Sequence, residues 1–136
     1  MTVRTAFVSA SYAHRAILAA QLDAITAAVE AQGVTALIFV RAYDFRPDEA
    51  AIMMATTLRE VRAADLLIAE VSYKAIGVGI EVGMAAALGK PIVYVRQVTA
   101  EPSTTVGGLA AATVVYHDAA DLRAQLEAAL ATVLLR

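Results

Sequence analysis

The chain has 136 residues, a net charge of −2 and an apolar fraction of 60%, which points to one domain able to bury a core. It has no cysteine, which excludes disulfides and thiolate metal sites, and no apolar run approaches the ~18–20 residues of a membrane span. With no basic cluster and no signal-like segment, neither a nucleic-acid polymer nor a membrane is expected as a partner, and a cytoplasmic location is expected. Thr5 to Ser9 reads as the first strand, followed by the small-residue turn Ser9-Ala10-Ser11-Tyr12. A helix is predicted from about Ala13 to Ala31, where Ile17, Leu18, Leu22, Ile25 and Val29 recur at helical spacing, and Gly33 stops it. Val34 to Val40 reads as the second strand, and Arg41 to Arg46 as a polar loop. Pro47 suits a first helical turn, so the next helix is placed at about Asp48 to Ala63.

The stretch from Ala63 to Val95 is the most informative. Leu66 to Val71 is an unbroken apolar run apart from Glu70, as expected of a strand buried on both faces. Gly77-Val78-Gly79 reads as a glycine loop, with a helix from about Ile80 to Gly89 and Pro91 beyond it. Ile92 to Val95 is the fourth strand. Gln97 to Gly108 reads as a loop, Thr113 to Tyr116 as the fifth strand, and Asp118 as the N-cap of a last helix from about Ala119 to Leu134. Alternating strands and helices predict an α/β fold. It is a flavodoxin-like, doubly wound, five-stranded parallel sheet of order 2-1-3-4-5, with helices on both faces. On such a sheet, ligands bind beyond the carboxyl ends of the strands. Here those are the loops holding Ser9 to Tyr12, Ser72 to Glu81, and Gln97 to Gly108.

Glu81 is the candidate catalytic residue. One reading is a first-turn carboxylate that complements its helix dipole. The other is an ionised carboxylate aimed at a sugar's anomeric carbon, as a nucleophile or as a stabiliser of an oxocarbenium ion. Gly77 and Gly79 would let a ligand approach the backbone. Ser9, Ser11, Tyr12, Ser72, Ser103 and Thr105 are the candidate substrate-binding side chains. Glu70 reads as a structural carboxylate in need of partners, and Asp65 as structural at the opposite edge. His14 and His117 have no ligand-like spacing. No metal constellation is present, and no cofactor is expected.

Several of these residues fall into a known pattern. Ala64-Asp65, Ala69-Glu70-Val71-Ser72, Gly77-Val78-Gly79-Ile80-Glu81-Val82-Gly83 and Ala87-Leu88-Gly89-Lys90-Pro91 together resemble the signature of the nucleoside 2-deoxyribosyltransferase family, including the 2′-deoxynucleoside 5′-phosphate N-hydrolases. The resemblance implies that Glu81 attacks the anomeric carbon of a 2-deoxyribosyl group. A glycosyl-enzyme then forms and is resolved by water or by a second base. It also implies a homo-oligomer, a dimer or larger, in which a neighbour lends a residue that falls on Thr105. Three positions depart from the pattern. Thr57 stands where the family has an aspartate that assists the leaving base. Ala75 stands where the hydrolases have a phosphate-binding serine. Ser9-Ala10-Ser11-Tyr12 replaces a glycine-rich turn.

Two functions remain open on this reading. One is cleavage of the N-glycosidic bond of a nucleoside or its 5′-monophosphate, by hydrolysis or base exchange. The other is a non-catalytic module that holds a nucleotide or sugar-nucleotide on the same fold. A third reading, a Toll/interleukin-receptor-like NAD glycohydrolase, lacks its serine and cysteine motif here.

Overall fold

The computed structural model describes residues 4–135. The elements in chain order are β1 (Thr5–Ser9), α1 (Ala19–Ala31), β2 (Thr35–Ile38), α2 (Phe39–Ala42), α3 (Ala50–Ala63) and β3 (Leu66–Glu70). After them come α4 (Ile76–Ala87), β4 (Ile92–Gln97), α5 (Thr104–Leu109), β5 (Ala112–Tyr116) and α6 (Ala119–Val133). All strands are parallel, in the order β2-β1-β3-β4-β5, so the predicted flavodoxin-like architecture is the one observed. β3 lies in the centre, with Ala6 opposite Leu66 on one side and Ile68 opposite Val93 on the other.

Strand alternation divides the core into two layers. Val8, Ile68, Val93 and Val95 face the helices α1 and α6 through Leu22, Ile25, Leu122 and Leu126. Phe7, Leu67, Ile92 and Tyr94 face the other way, where Val78, Val82 and Ala85 of α4 and Val61 of α3 cover them. β3 is buried at every residue, as its apolar run requires. Gly33 and Gly89, read as helix stops, both adopt φ of 71°, a conformation that glycine reaches without penalty.

Several boundaries differ from the sequence reading. The first helix begins at Ala19, not near Ala13. Residues 12–18 form successive turns, with His14 N–H bonded to Ser11 O and Arg15 N–H to Tyr12 O, each at 3.3 Å. Ser11 Oγ lies 2.8 Å from His14 Nδ1, a local side-chain bond that competes with the helical ladder. The second strand stops at Ile38, because the chain turns into α2 and buries Phe39 under Phe7, ring centroids 5.4 Å apart. A 3-10 turn, Pro47–Glu49, precedes α3.

The correction with most bearing on function concerns Gly77-Val78-Gly79. These residues are not a loop. They lie in the first turn of α4, which begins at Ile76 behind an extended Ala75. Neither glycine has positive φ. Burial of Val78 and Val82 against the sheet overrides the local preference of glycine for turns.

Candidate active site at the carboxyl edge of the sheet

A cavity of about 400 Å³ opens beyond the carboxyl ends of β1 and β3. Its floor and walls come from the turn after β1 (Ala10 to Ala13), from α2 and the loop behind it, from Met53 and Met54 of α3, and from the start of α4. Most of this lining is apolar. Phe39, Tyr43 and Phe45 form one aromatic wall, with Tyr43 and Phe45 nearly parallel at 12° and 5.6 Å between centroids. Glu81 is the one acidic side chain in the lining, and the lining contains no lysine, arginine or histidine.

Glu81 sits in the second turn of α4, half-buried. The Ser9 hydroxyl, at the buried end of β1, donates a hydrogen bond to Glu81 Oε1. Burial pushes the Glu81 carboxyl up from 4.5 to about 7, and the Ser9 bond opposes that rise. The expectation that the helix terminus keeps Glu81 ionised is thereby corrected. The residue lies beyond the first turn, where the dipole acts, and loss of water outweighs it. The carboxyl therefore titrates near neutral pH rather than in the usual carboxylate range.

Tyr12 forms the rim. It is half exposed, and its hydroxyl donates to Asp44 Oδ1 at 2.8 Å. That bond holds the phenol above its usual range. Arg15 lies 3.7 Å above the Tyr12 ring and donates to the Tyr12 carbonyl at 2.6 Å. Ser11 is buried and lines the cavity, as does Gly77, while Gly79 lies outside the lining and is exposed.

The other candidates lie elsewhere. Ser72 donates to Glu70 Oε2 at 2.8 Å and accepts from Gln97 N–H at 2.8 Å, on the far side of β3. Glu70 is fully buried and also accepts from Tyr116 Oη at 2.6 Å and Ser72 N–H at 2.7 Å. This network ties β3 to β5, which agrees with the structural reading of Glu70. Burial raises the carboxyl, and the three bonds hold it back. Ser103 caps α5, accepting from Val106 N–H at 3.3 Å. Thr105 is exposed, with its Oγ1 3.2 Å from Ser103 Oγ. Neither lines the Glu81 cavity. Thr57 is buried and donates to the Met53 carbonyl at 2.9 Å, so its hydroxyl is taken up by its own helix. Glu60 faces Arg59 at 3.5 Å. Ala75, by contrast, does line the cavity. Asp65, at the opposite edge, accepts from Thr5 N–H at 2.8 Å.

The sequence reading missed the aromatic wall. It took the loop after the second strand as a polar connection, although that loop also lies at the carboxyl edge. Tyr43 and Phe45, two aromatics in a short polar segment, were the available signal. A larger groove of about 660 Å³ lies beside Arg4, Asp65 and Lys90, at the amino ends of the strands. It is broad and shallow, and it sits away from the edge where such sheets bind ligands.

The family model described as nucleoside 2-deoxyribosyltransferase matches residues 7–129. The chain belongs to that family. The match runs from β1 into α6 and includes Ser9, the aromatic wall and Glu81. A solved structure of the Clostridium botulinum CMP N-glycosidase superposes with a TM-score of 0.69 at 17% identity, covering 93% of this chain and all of that one. A 3-dehydroquinate dehydratase-like protein from Bifidobacterium longum gives 0.55 at 13% identity, covering 99% of each chain. A receiver domain from Methylobacillus flagellatus gives 0.53 at 17% identity, covering 93% of this chain and 98% of that one. At these identities the likeness is one of fold. No curated protein sequence matches the chain. Among the described residues, no helix is long and apolar enough to cross a membrane, and no group of three or more His, Cys, Asp or Glu side chains could hold a metal ion.

Proposed function

We propose that this member of the nucleoside 2-deoxyribosyltransferase family cleaves the N-glycosidic bond of a nucleoside or its 5′-monophosphate, by hydrolysis or base exchange, with Glu81 as nucleophile. The observation that carries the proposal is a lone carboxylate set in an apolar cavity at the ligand-binding edge, with the Ser9 hydroxyl bonded to it. Low water content strengthens its attraction for positive charge developing at the anomeric carbon. The aromatic wall offers the base a stacking surface, a contact that favours aromatic ligands over the sugar. The neighbouring fold named CMP N-glycosidase acts, by its name, on a bond of this class.

The test is a panel of nucleosides and 5′-monophosphates, with and without a second base, followed by chromatography of the free base. Release without acceptor identifies a hydrolase, and exchange only with acceptor identifies a transferase. Glu81→Gln keeps the shape and removes the nucleophile, and it should reduce turnover by orders of magnitude while affinity for uncharged nucleosides changes little. Turnover within a few-fold of the unmodified protein would end the proposal.

The second reading, a binding module without turnover, is favoured by one observation. No second carboxylate lines the cavity to protonate a leaving base, and the Thr57 hydroxyl is already engaged. A thermal shift with nucleosides and no release of base on any substrate would establish it.

The assembly we propose is a homodimer or larger. The exposed face of α4 carries Ile76, Gly79, Ile80 and Gly83, with Ile76 85% exposed and no charge among them. Such a face gains by being covered by a second copy. Thr105 is exposed on α5 and within a neighbour's reach, whereas Ser103 is held as the cap of that helix.

A further inference from the structure

The cavity's charge and its missing acid point to the same kind of substrate. Inside it stand one carboxylate, Glu81, an aromatic wall whose accessible members are Tyr43 and Phe45, and two methionines, with no cationic side chain in the lining. The cations nearest the rim are engaged. Arg15 lies on the Tyr12 ring, and Arg59 lies 3.4 Å from Tyr43 Oη and 3.5 Å from Glu60. Glu60 pairs with Arg59, and neither arginine is in the lining, whose one charged side chain is Glu81. Aromatic faces beside a desolvated carboxylate are a setting that attracts organic cations. They repel a phosphate dianion, for which only the uncapped start of α4 speaks.

Resting on the glycosidase reading above, we propose that the preferred substrate is an N-glycoside whose base carries a fixed positive charge, such as an N-alkylated purine or a pyridinium nucleoside. A neutral base must take a proton to leave, and no second carboxylate, histidine or lysine lines the cavity to give it one. A cationic base needs none. The Glu81 oxygen bonds to the anomeric carbon as the bond to the ring nitrogen breaks. The electron pair moves onto that nitrogen, cancels its charge, and the base departs neutral. Water then hydrolyses the glycosyl ester, which yields the sugar, the Glu81 carboxylate and one proton.

The test has a binding arm and a kinetic arm. Titrations compare 1-methylnicotinamide with nicotinamide, and base release, in mildly acidic buffer where the methylated guanine keeps its N1 proton and its positive charge, compares 7-methylguanosine with guanosine, each rate divided by its spontaneous rate. At pH 8 the cation should bind at least about tenfold tighter than its neutral counterpart. The gap should narrow towards pH 5.5 as Glu81 takes a proton, shrink in Glu81→Gln, and weaken for the cation in Tyr43→Leu. The normalised rate should likewise favour the methylated nucleoside. Equal binding of cation and neutral base at pH 8, or a preference unchanged in Glu81→Gln, overturns the inference. If guanosine is cleaved in a Glu81-dependent way with no preference for the cation, the glycosidase reading stands and this one falls. Preferential binding of the cation with no release from either nucleoside removes the glycosidase reading and, with it, this substrate assignment.

Discussion

At the scale of single residues, the role proposed for Glu81 joins stability to activity through one proton. Its folded pKa, about 7, lies above its ordinary value of 4.5 because the carboxyl is buried. Between those values the folded state holds a proton that the unfolded chain has released, so stability falls as pH rises through that window. Glu81→Gln removes the titration. It should therefore melt higher than the unmodified protein at pH 8, with the difference disappearing below pH 5, even as activity is lost. A variant that melts lower at pH 8 would contradict this. The activity itself should rise through about pH 7, because the proposed nucleophile is the ionised form. Ser9→Ala takes away the bond that stabilises that form, so its acid limb should move to higher pH, and Ser9→Thr should restore it. A pH-rate profile of the three proteins decides the matter. The sequence disclosed Glu81 through its neighbours, yet it gave no sign of the carboxyl's environment. That environment is made by β1, α2 and α3, which lie about 20 to 75 residues away in the chain.

At the scale of elements, the strands and the helix stops were legible because each rests on local chemistry. A run such as Leu66 to Ala69 leaves few alternatives to a buried strand, and Gly33 and Gly89 mark helix ends by a conformation that other residues avoid. The start of α4 was not legible. Gly77 and Gly79 carry the signal of a turn, and packing of Val78 and Val82 on the sheet overrules it. The same holds for the start of α1, where Ile17 and Leu18 keep helical spacing but the Ser11–His14 bond sets a different backbone. These assignments separate in a stability experiment. Gly83 sits inside α4 with open space around a Cβ position, so Gly83→Ala should stabilise by ~0.5–1 kcal/mol in denaturant unfolding. Gly89→Ala meets a φ of 71° and should destabilise by roughly 1–2 kcal/mol. Were residues 77–83 a loop after all, the gain in Gly83→Ala would not appear.

At the scale of the whole molecule, the sheet order was legible from the alternation of strands and helices, whereas assembly is written only on a surface. Light scattering at micromolar concentration should report a dimer or larger, and Ile80→Glu should release monomers by placing a charge on the exposed face of α4. A monomer in the unmodified protein would remove the proposed assembly. The central position of β3 has a consequence for how the chain reaches this state. Its partner on one side, β4, is about 25 residues away, and its partner on the other, β1, about 60. Closing the longer loop costs roughly 0.8 kcal/mol more by loop entropy. On loop entropy alone, β3 therefore pairs with β4 before it pairs with β1. During synthesis, then, β1 and β2, which pair across about 30 residues, emerge first, and β3 is the strand that joins them to the later half of the sheet. Substitutions such as Ile68→Val should slow refolding more than Val8→Ala does for an equal loss of stability, a difference that φ-values measure.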